Sequence, residues 1–450
     1  MKVSGAFAIF AAMDSQTIVA PMTPAGVSAV AALRVSGTQV RLVVERLFGT
    51  KAAKGLKPRM ANLGTARDPE SGKVLDSLLY IYFESPNSYT GEDVLELYPH
   101  GNPLIVRDLL QAIRSIEGVR LAEPGEYTRR AFLNGKMDLT QAESVADVIH
   151  SANRAELENA HRLLSGALSK KIATLTAQVK DISARLELDV DFAEEEADPD
   201  FAGWQERFEN IRTTILQILN SFRGKANLSR LPLAVLYGAP NAGKSSLVNA
   251  LLGEDRVLVS NVPGTTRDFV EVRLFLDGGE IRLVDTAGIA EHATDELDAL
   301  SMKKSREILE EADLKILVLD GTDSSEPVVQ PDFIVHSKCD VRQSLPETGL
   351  CISSKTGAGL AELKSVMNAA LFKKSDNAED LWITSEREKA CLEDAYAGVN
   401  RVLDLLRRNP AVELLAFEMQ LVRRSLQSIT GEISSEDILQ SIFAGFCIGK

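Results

Sequence analysis

The segment GAPNAGKS (238–245) satisfies the GxxxxGK[ST] spacing of a phosphate-binding loop. Its glycines let backbone N–H groups approach phosphate oxygens, Lys244 is placed to neutralise the β and γ oxygens, and the Ser245 hydroxyl can ligate Mg2+. A helix opening near Lys244 would turn its positive end towards the same anion. Three polar segments follow in order. DTAG (285–288) puts Asp285 where a carboxylate can hold Mg2+ through water and the Gly288 amide where it can sense a γ-phosphate. SKCD (337–340) offers Asp340 to the donor edge of guanine, which adenine lacks, and ISSK (352–355) can present backbone N–H groups to the guanine carbonyl. The expected ligand is GTP. The expected site comprises Asn241, Ala242, Gly243, Lys244, Ser245, Ser246, Ser260, Thr265, Thr266, Asp285, Thr286, Ala287, Gly288, Ser337, Lys338, Asp340, Ser353, Ser354 and Lys355.

GTTRD (264–268) lies between the phosphate loop and DTAG, where one of Thr265 and Thr266 should complete the Mg2+ shell, Thr266 being favoured. Hydrolysis also needs a group that orients water. Ras-like enzymes place glutamine directly after DxxG, but Ile289 stands there and cannot act. Glu291, Glu296 and Asp298 are within reach in sequence, and composition does not choose among them.

These segments need a parallel sheet to hold them. LPLAVLY (231–237) is a short apolar run closed by glycine, as a buried parallel strand should be. Further strands are expected at 269–276, 281–284, 314–319, 333–336 and 350–352, mostly separated by helical sequence, which predicts a Ras-like α/β domain of the doubly wound type. Upstream, residues 17–116 alternate short apolar runs with turn residues and apolar helical stretches, a compact α+β pattern. From Thr140 leucines and alanines recur at helical spacing through 142–222, with DVDFAEEEADPD (189–200) read as a loop. Helix returns over 384–446, so an all-α domain is interrupted by an inserted α/β domain whose ends lie close together.

A chain of 450 residues exceeds one ordinary core, and 45% hydrophobic with 25% charged residues fits a globular protein. The formal charge of −14 excludes a protein that coats nucleic acid by bulk electrostatics. Residues 1–135 carry fifteen Lys/Arg against thirteen Asp/Glu, so RNA contacts are expected in that near-neutral part or in local patches. The four cysteines lack disulfide-framework or zinc spacing, which suits a reducing cytoplasm. Residues 2–12 faintly resemble a signal peptide, but translation is expected to start at Met13.

NSYTGEDVLEL (87–97), EPGEYTRRAFLNGKMDLTQAESVADVI (123–149), GAPNAGKS, GTTRDF and the terminal FCIGK (446–450) together resemble the tRNA-modification GTPases of the MnmE (TrmE) family, over essentially 17–450. The resemblance implies an N-terminal α+β dimerisation and folate-binding domain (13–134), a helical domain in two parts (135–228 and 376–450) and an inserted G domain (229–375). It implies a K+-dependent, homodimeric GTPase working as a heterotetramer with an FAD-dependent protein of the MnmG (GidA) family. Together they would add an aminomethyl or carboxymethylaminomethyl group to the wobble uridine of tRNA, drawing on 5-formyl- or methylene-tetrahydrofolate. By position, Arg34, Glu96, Lys136 and Lys450 match the folate-binding residues and Cys447 the cysteine needed for modification. Asn241, Thr265 and the carbonyls of Ser260 and Val262 match a K+ site that takes the place of an arginine finger, and Asp298 aligns with the catalytic, water-orienting glutamate. The chain departs from the family in Asp298, one methylene short, in Ser337 for the asparagine of NKxD, and in TPAGVSAVA (23–31) and PHGN (99–102). The alternative reading is a regulatory ribosome-assembly GTPase that binds rRNA. Such proteins usually add a KH module or a second G domain, and neither is legible after Lys373.

Overall fold

A computed structural model describes residues 16–191, 201–224, 230–254, 269–286, 306–320, 329–341, 348–372, 381–408 and 411–450. The chain gathers into two compact units, one of Met1–Ile149, Ala160–Phe222 and Ile383–Lys450, the other of His150–Asn159 and Arg223–Trp382.

In the first unit the strands are β1 (Thr17–Pro21), β2 (Ser28–Val30), β3 (Leu33–Ser36), β4 (Ala61–Arg67), β5 (Val74–Phe83), β6 (Val94–Tyr98), β7 (His100–Gly101) and β8 (Val119–Leu121). Six of them form a sheet in the order β4-β5-β6-β3-β1-β8. Alternation divides its faces. Val19, Leu33, Val35, Leu78, Tyr80, Leu95 and Leu97 pack against Val43, Val44 and Leu47 of α1 (Val40–Phe48) and Leu109, Ala112 and Ile113 of α3 (Pro103–Arg114), α2 (Thr50–Lys54) lying between these helices in the chain. The helical spacing of those apolar residues is what lets one stripe of each helix meet the sheet. Asn102 starts α3 by accepting from the Leu104 amide at 2.9 Å, with Pro103 at the first turn. Cross-strand partners Arg34 and Glu96 fall in the other set of alternate positions.

The rest of this unit is helical: α4 (Glu126–Leu133), α5 (Leu139–His150), the part of α6 (Arg154–Leu164) from Ala160 onward, α7 (Ala167–Asp191), α8 (Phe201–Asn220), α11 (Glu386–Leu406), α12 (Val412–Thr430) and α13 (Glu436–Ala444). The long helical stretch expected over 142–222 is cut before α6, and again at Gly166, which adopts φ +84°. The loop expected from Asp189 begins later, since α7 runs to Asp191. Arg387 donates from α11 to both carboxylate oxygens of Glu143 on α5, and Thr384 donates to Asp147, so the two parts of the helical domain meet although far apart in sequence.

The second unit holds a sheet ordered β10-β11-β9-β12-β13-β14, from β9 (Leu233–Tyr237), β10 (Phe269–Leu276), β11 (Gly279–Thr286), β12 (Leu314–Leu319), β13 (Phe333–His336) and β14 (Leu350–Cys351). β10 and β11 form an antiparallel hairpin and the remaining pairs are parallel. All five residues of β9 are buried. Helices α9 (Lys244–Glu254) and α10 (Leu360–Leu371) cover a core of Leu236, Leu247, Leu251, Leu283, Ile316 and Leu363. β11 starts two residues earlier than expected because Gly278 and Gly279 make the hairpin turn tight enough to pair Leu276 with Gly279. The fold class is therefore that of a multidomain chain in which an α/β domain with a largely parallel sheet is inserted into the helical part.

Candidate functional site

The loop 238–243 leaves the end of buried β9 and passes directly into α9. Gly238 at φ +142° runs so close to β12 that a Cβ there would lie 2.3 Å from the Val318 carbonyl, and Gly243 takes φ +98°. Asn241 sits at φ +64°, a left-handed conformation that asparagine tolerates better than most side chains. Lys244 is only 6% exposed, and its ammonium donates to the carbonyls of Gly238 and Ala239 at 2.9 Å each. Burial pushes that ammonium below its ordinary value while the nearby Asp285 charge pulls it back up. The lysine is thus a confined positive charge at the mouth of the loop, which is the chemistry an outer phosphate requires.

Asp285 comes from the end of β11, the neighbour of β9. Its Oδ2 accepts the Ser245 hydroxyl, and its Oδ1 is buried with no hydrogen-bond partner. A buried carboxylate oxygen left over beside a hydroxyl suits a hydrated divalent cation, so these residues fit Mg2+. Thr286 is turned inward and donates to the Leu236 carbonyl at 3.0 Å.

The segment 337–340 follows β13, two strands from β9. Ser337, 2% exposed, donates its hydroxyl to the Ala242 carbonyl at 2.5 Å. Lys338, at φ +58°, reaches the Asn241 carbonyl at 2.9 Å and Asp320 at 3.4 Å. Both side chains bind back onto the phosphate loop, a bracing role that the sequence left unassigned for Lys338. Asp340 is exposed and takes the Ser353 hydroxyl at 2.8 Å, which joins SKCD to ISSK. Ser353 is buried, Ser354 partly so and Lys355 exposed, while Ser246 lies exposed on the first turn of α9. Ala287, Gly288, Ser260, Val262, Thr265, Thr266, Glu291, Glu296 and Asp298 lie outside the described residues.

A second polar cluster lies in the first unit. Arg34 on β3 donates to Glu96 Oε1 on β6 from Nε at 3.1 Å and from Nη2 at 2.8 Å, while Tyr98 donates to Glu96 Oε2 at 2.6 Å. The Arg34 guanidinium stands 4.8 Å from the ring centre of Tyr89 and 5.7 Å from that of Tyr127, whose hydroxyl donates to the Arg34 carbonyl. Arg34 is 9% exposed, and its Nη1 is buried without a partner. Burial and the Arg34 charge depress the Lys450 ammonium, against the pull of Glu96, so Lys450 lies within electrostatic reach of this pair. Gly449 gets it there: at φ +101° it packs so closely on β1 that a Cβ would lie 2.3 Å from the Pro21 carbonyl.

Lys136 stands apart, donating to the Pro86 carbonyl at 2.9 Å, and among the described residues no hydrogen bond joins it to the other three. Cys447 is exposed, unlike the buried structural cysteine its apolar neighbours would suggest. The sequence reading missed the three tyrosines. Tyr98 was within reach, because positions 96 and 98 of one strand share a face. Burial, then the Glu96 carboxylate, pushes the Tyr98 phenol up to about 12, so it stays a donor across the physiological range.

The family model for the MnmE helical domain matches residues 139–447, and that for the N-terminus of the GTP-binding protein TrmE matches residues 17–136. A protein of Syntrophus aciditrophicus called tRNA modification GTPase MnmE is 37% identical over 97% of this chain and 100% of its own length. Its namesake in Hyphomonas neptunium is 38% identical over 94% of this chain and 96% of its own, and that of Vibrio parahaemolyticus is 36% identical over 97% and 100%. No helix among the described residues is long and apolar enough to cross a membrane.

Proposed function

This chain belongs to the MnmE (TrmE) family of tRNA modification GTPases, and from that premise we propose that it couples GTP hydrolysis to modification of the wobble uridine of tRNA in the cytoplasm. The observation that carries the proposal is that one chain holds two separate sites of matching chemistry. One is a confined lysine beside a Ser245–Asp285 pair with a spare carboxylate oxygen, the other an arginine–glutamate–lysine cluster with a spare guanidinium nitrogen.

In the first site Lys244 would counter charge on the β and γ phosphates of a bound nucleotide, and Ser245, Asp285 and Thr266 would hold the Mg2+ that neutralises them. Asp340 selects guanine by accepting from its donor edge, assisted by the backbone of 353–355. Asn241, Thr265 and the Ser260 and Val262 carbonyls would hold K+, whose charge would stand in for an arginine finger, and Asp298 would orient the attacking water. Two G domains of a homodimer meet to close this site.

The second site would hold a tetrahydrofolate, which when bound would supply the one-carbon unit. Arg34, Lys136 and Lys450 meet its carboxylates and acceptor edges, and Glu96 its pterin donors. Cys447, three residues from Lys450, serves the modification step. The partner is an FAD-dependent MnmG (GidA) family protein, and tRNA is the substrate of the assembly.

Nucleoside analysis of tRNA from cells lacking this protein tests the reading. The aminomethyl or carboxymethylaminomethyl wobble uridine should disappear and return with the intact gene. Unchanged tRNA together with immature ribosomes would point to a ribosome-assembly GTPase.

A further inference from the structure

Residues 150–159 are helical-domain sequence by position, yet by contact they belong with the GTPase unit. The Arg154 amide donates to the Gly278 carbonyl at 2.8 Å and the Glu280 amide to the Ala152 carbonyl at 3.1 Å, making an antiparallel bridge between Asn153 and Gly279 on the turn of the β10–β11 hairpin. Gly279, at φ +151°, is the only kind of residue that fits, since a Cβ there would lie 2.6 Å from the Ala152 carbonyl and 2.7 Å from Asn153 Cα. The bridging residue is also the cap of α6. Asn153 Oδ1 accepts from the Glu156 amide at 2.9 Å, and the Glu156 carboxylate accepts from the Ala152 amide and from Asn153 Nδ2. Bridge and helix start are therefore one object. A second fastening follows at Asn159, fully enclosed, whose side-chain amide exchanges hydrogen bonds with both backbone groups of Trp382 at 3.0 and 3.1 Å.

The far end of β11 is the nucleotide site. Asp285 lies six residues beyond Gly279, about 20 Å of extended strand. Its carboxylate holds Ser245, so any nucleotide or Mg2+ that takes over Ser245 changes the force on that end of β11. The near end is seated by Asn368, which accepts from the Gly278 amide at 2.7 Å, and by Phe372 against the same glycine. α6 itself runs on to Leu164, its residues from Ala160 onward belonging to the first unit.

We propose that the Asn153–Gly279 clasp is the joint by which the nucleotide state of the GTPase unit is passed, along β11, into α6 and so to the helical domain. This rests on the reading of 238–245 as a GTP-binding loop and not on the tRNA or folate chemistry. The test is amide hydrogen exchange on the full chain, with GDP and with a non-hydrolysable GTP analogue. Occupancy is read in the same spectra from 238–247. Between the two nucleotides the peptides spanning 150–159 and 276–281 should change their exchange rates together, by about tenfold. In Gly279→Ala, and in Glu156→Gln, which leaves the hairpin untouched, the response of 150–159 should vanish while that of 238–247 persists. Indifference of 150–159 in the wild type while 238–247 responds, or full response in both variants, overturns the proposal. If 238–247 itself ignores nucleotide, the GTP reading fails first and the coupling with it.

Discussion

Ser245 gives its hydroxyl to one oxygen of Asp285 while the other oxygen of that carboxylate is buried without a partner. One residue lies in the first turn of the helix after the phosphate loop and the other next to the last residue of the neighbouring strand, so the pair forms only when β9 and β11 are aligned in parallel register. A divalent cation would satisfy the spare oxygen.

Asp285→Asn should therefore cut GTP hydrolysis by about a hundredfold or more, because a neutral amide cannot hold the hydrated cation against the phosphates. The Mg2+ concentration for half-maximal activity should rise as well. A variant with unchanged Mg2+ dependence would show that the cation is held elsewhere.

Hydrolysis should run at least about tenfold faster in KCl than in NaCl of equal ionic strength, if a fixed K+ does the work of an arginine finger. Asn241→Gly is the apt variant. Glycine accepts the φ of +64° without strain and removes only the side chain, so it should abolish the preference for K+ and leave GDP binding intact. Equal rates in the two salts would remove ion capture from the mechanism.

Glu126 anchors the first unit against acid. Its carboxylate accepts from Arg120 at 2.6 and 2.7 Å, from Arg130 at 2.8 Å and from the Glu123 amide at 2.9 Å. Burial alone would raise its carboxyl, but these donors outweigh it and hold the carboxyl below its ordinary value of 4.5. A carboxyl depressed by folding stabilises the native state above that ordinary value and loses the contribution as pH falls through the folded one. Melting curves should show stability dropping steeply below the ordinary carboxylate range. Glu126→Gln should flatten that drop and cost about 3 kcal/mol at neutral pH, since Arg130 is left buried with less compensation.

Arg34→Gln should weaken tetrahydrofolate binding by about tenfold to a hundredfold, because it removes a charged donor from an enclosed site, while GTP hydrolysis is unaffected. Cys447→Ser should likewise spare hydrolysis and abolish tRNA modification. Loss of both activities in either variant would show a structural role in place of a chemical one.

The parts of this molecule legible in the sequence are those whose chemistry is local. The loop 238–245 reads itself, because its glycines, Lys244 and Ser245 act within one turn, and the strands fall where apolar runs meet glycine or polar breaks. Glu96 and Tyr98 were half legible through strand alternation. Arg34 facing Glu96 was not, because the partners are 62 residues apart and pair through sheet register; only the family resemblance put them in one site. Ser337 was legible only as a departure from the asparagine of NKxD, whereas its hydroxyl ties the end of β13 to the phosphate loop at Ala242. The clasp at Asn153 was hidden because residues around it carry ordinary helical spacing, and nothing local reveals that their backbone pairs with a glycine turn more than 120 residues downstream.

The most direct test of the account is competitive binding of GTP, ATP and xanthosine triphosphate to the full chain and to Asp340→Asn. The wild type should prefer GTP over ATP by at least about a hundredfold, and the variant should shift its preference to xanthosine triphosphate, whose extra carbonyl accepts where guanine donates. Equal affinity for GTP and ATP in the wild type would contradict the account at its root.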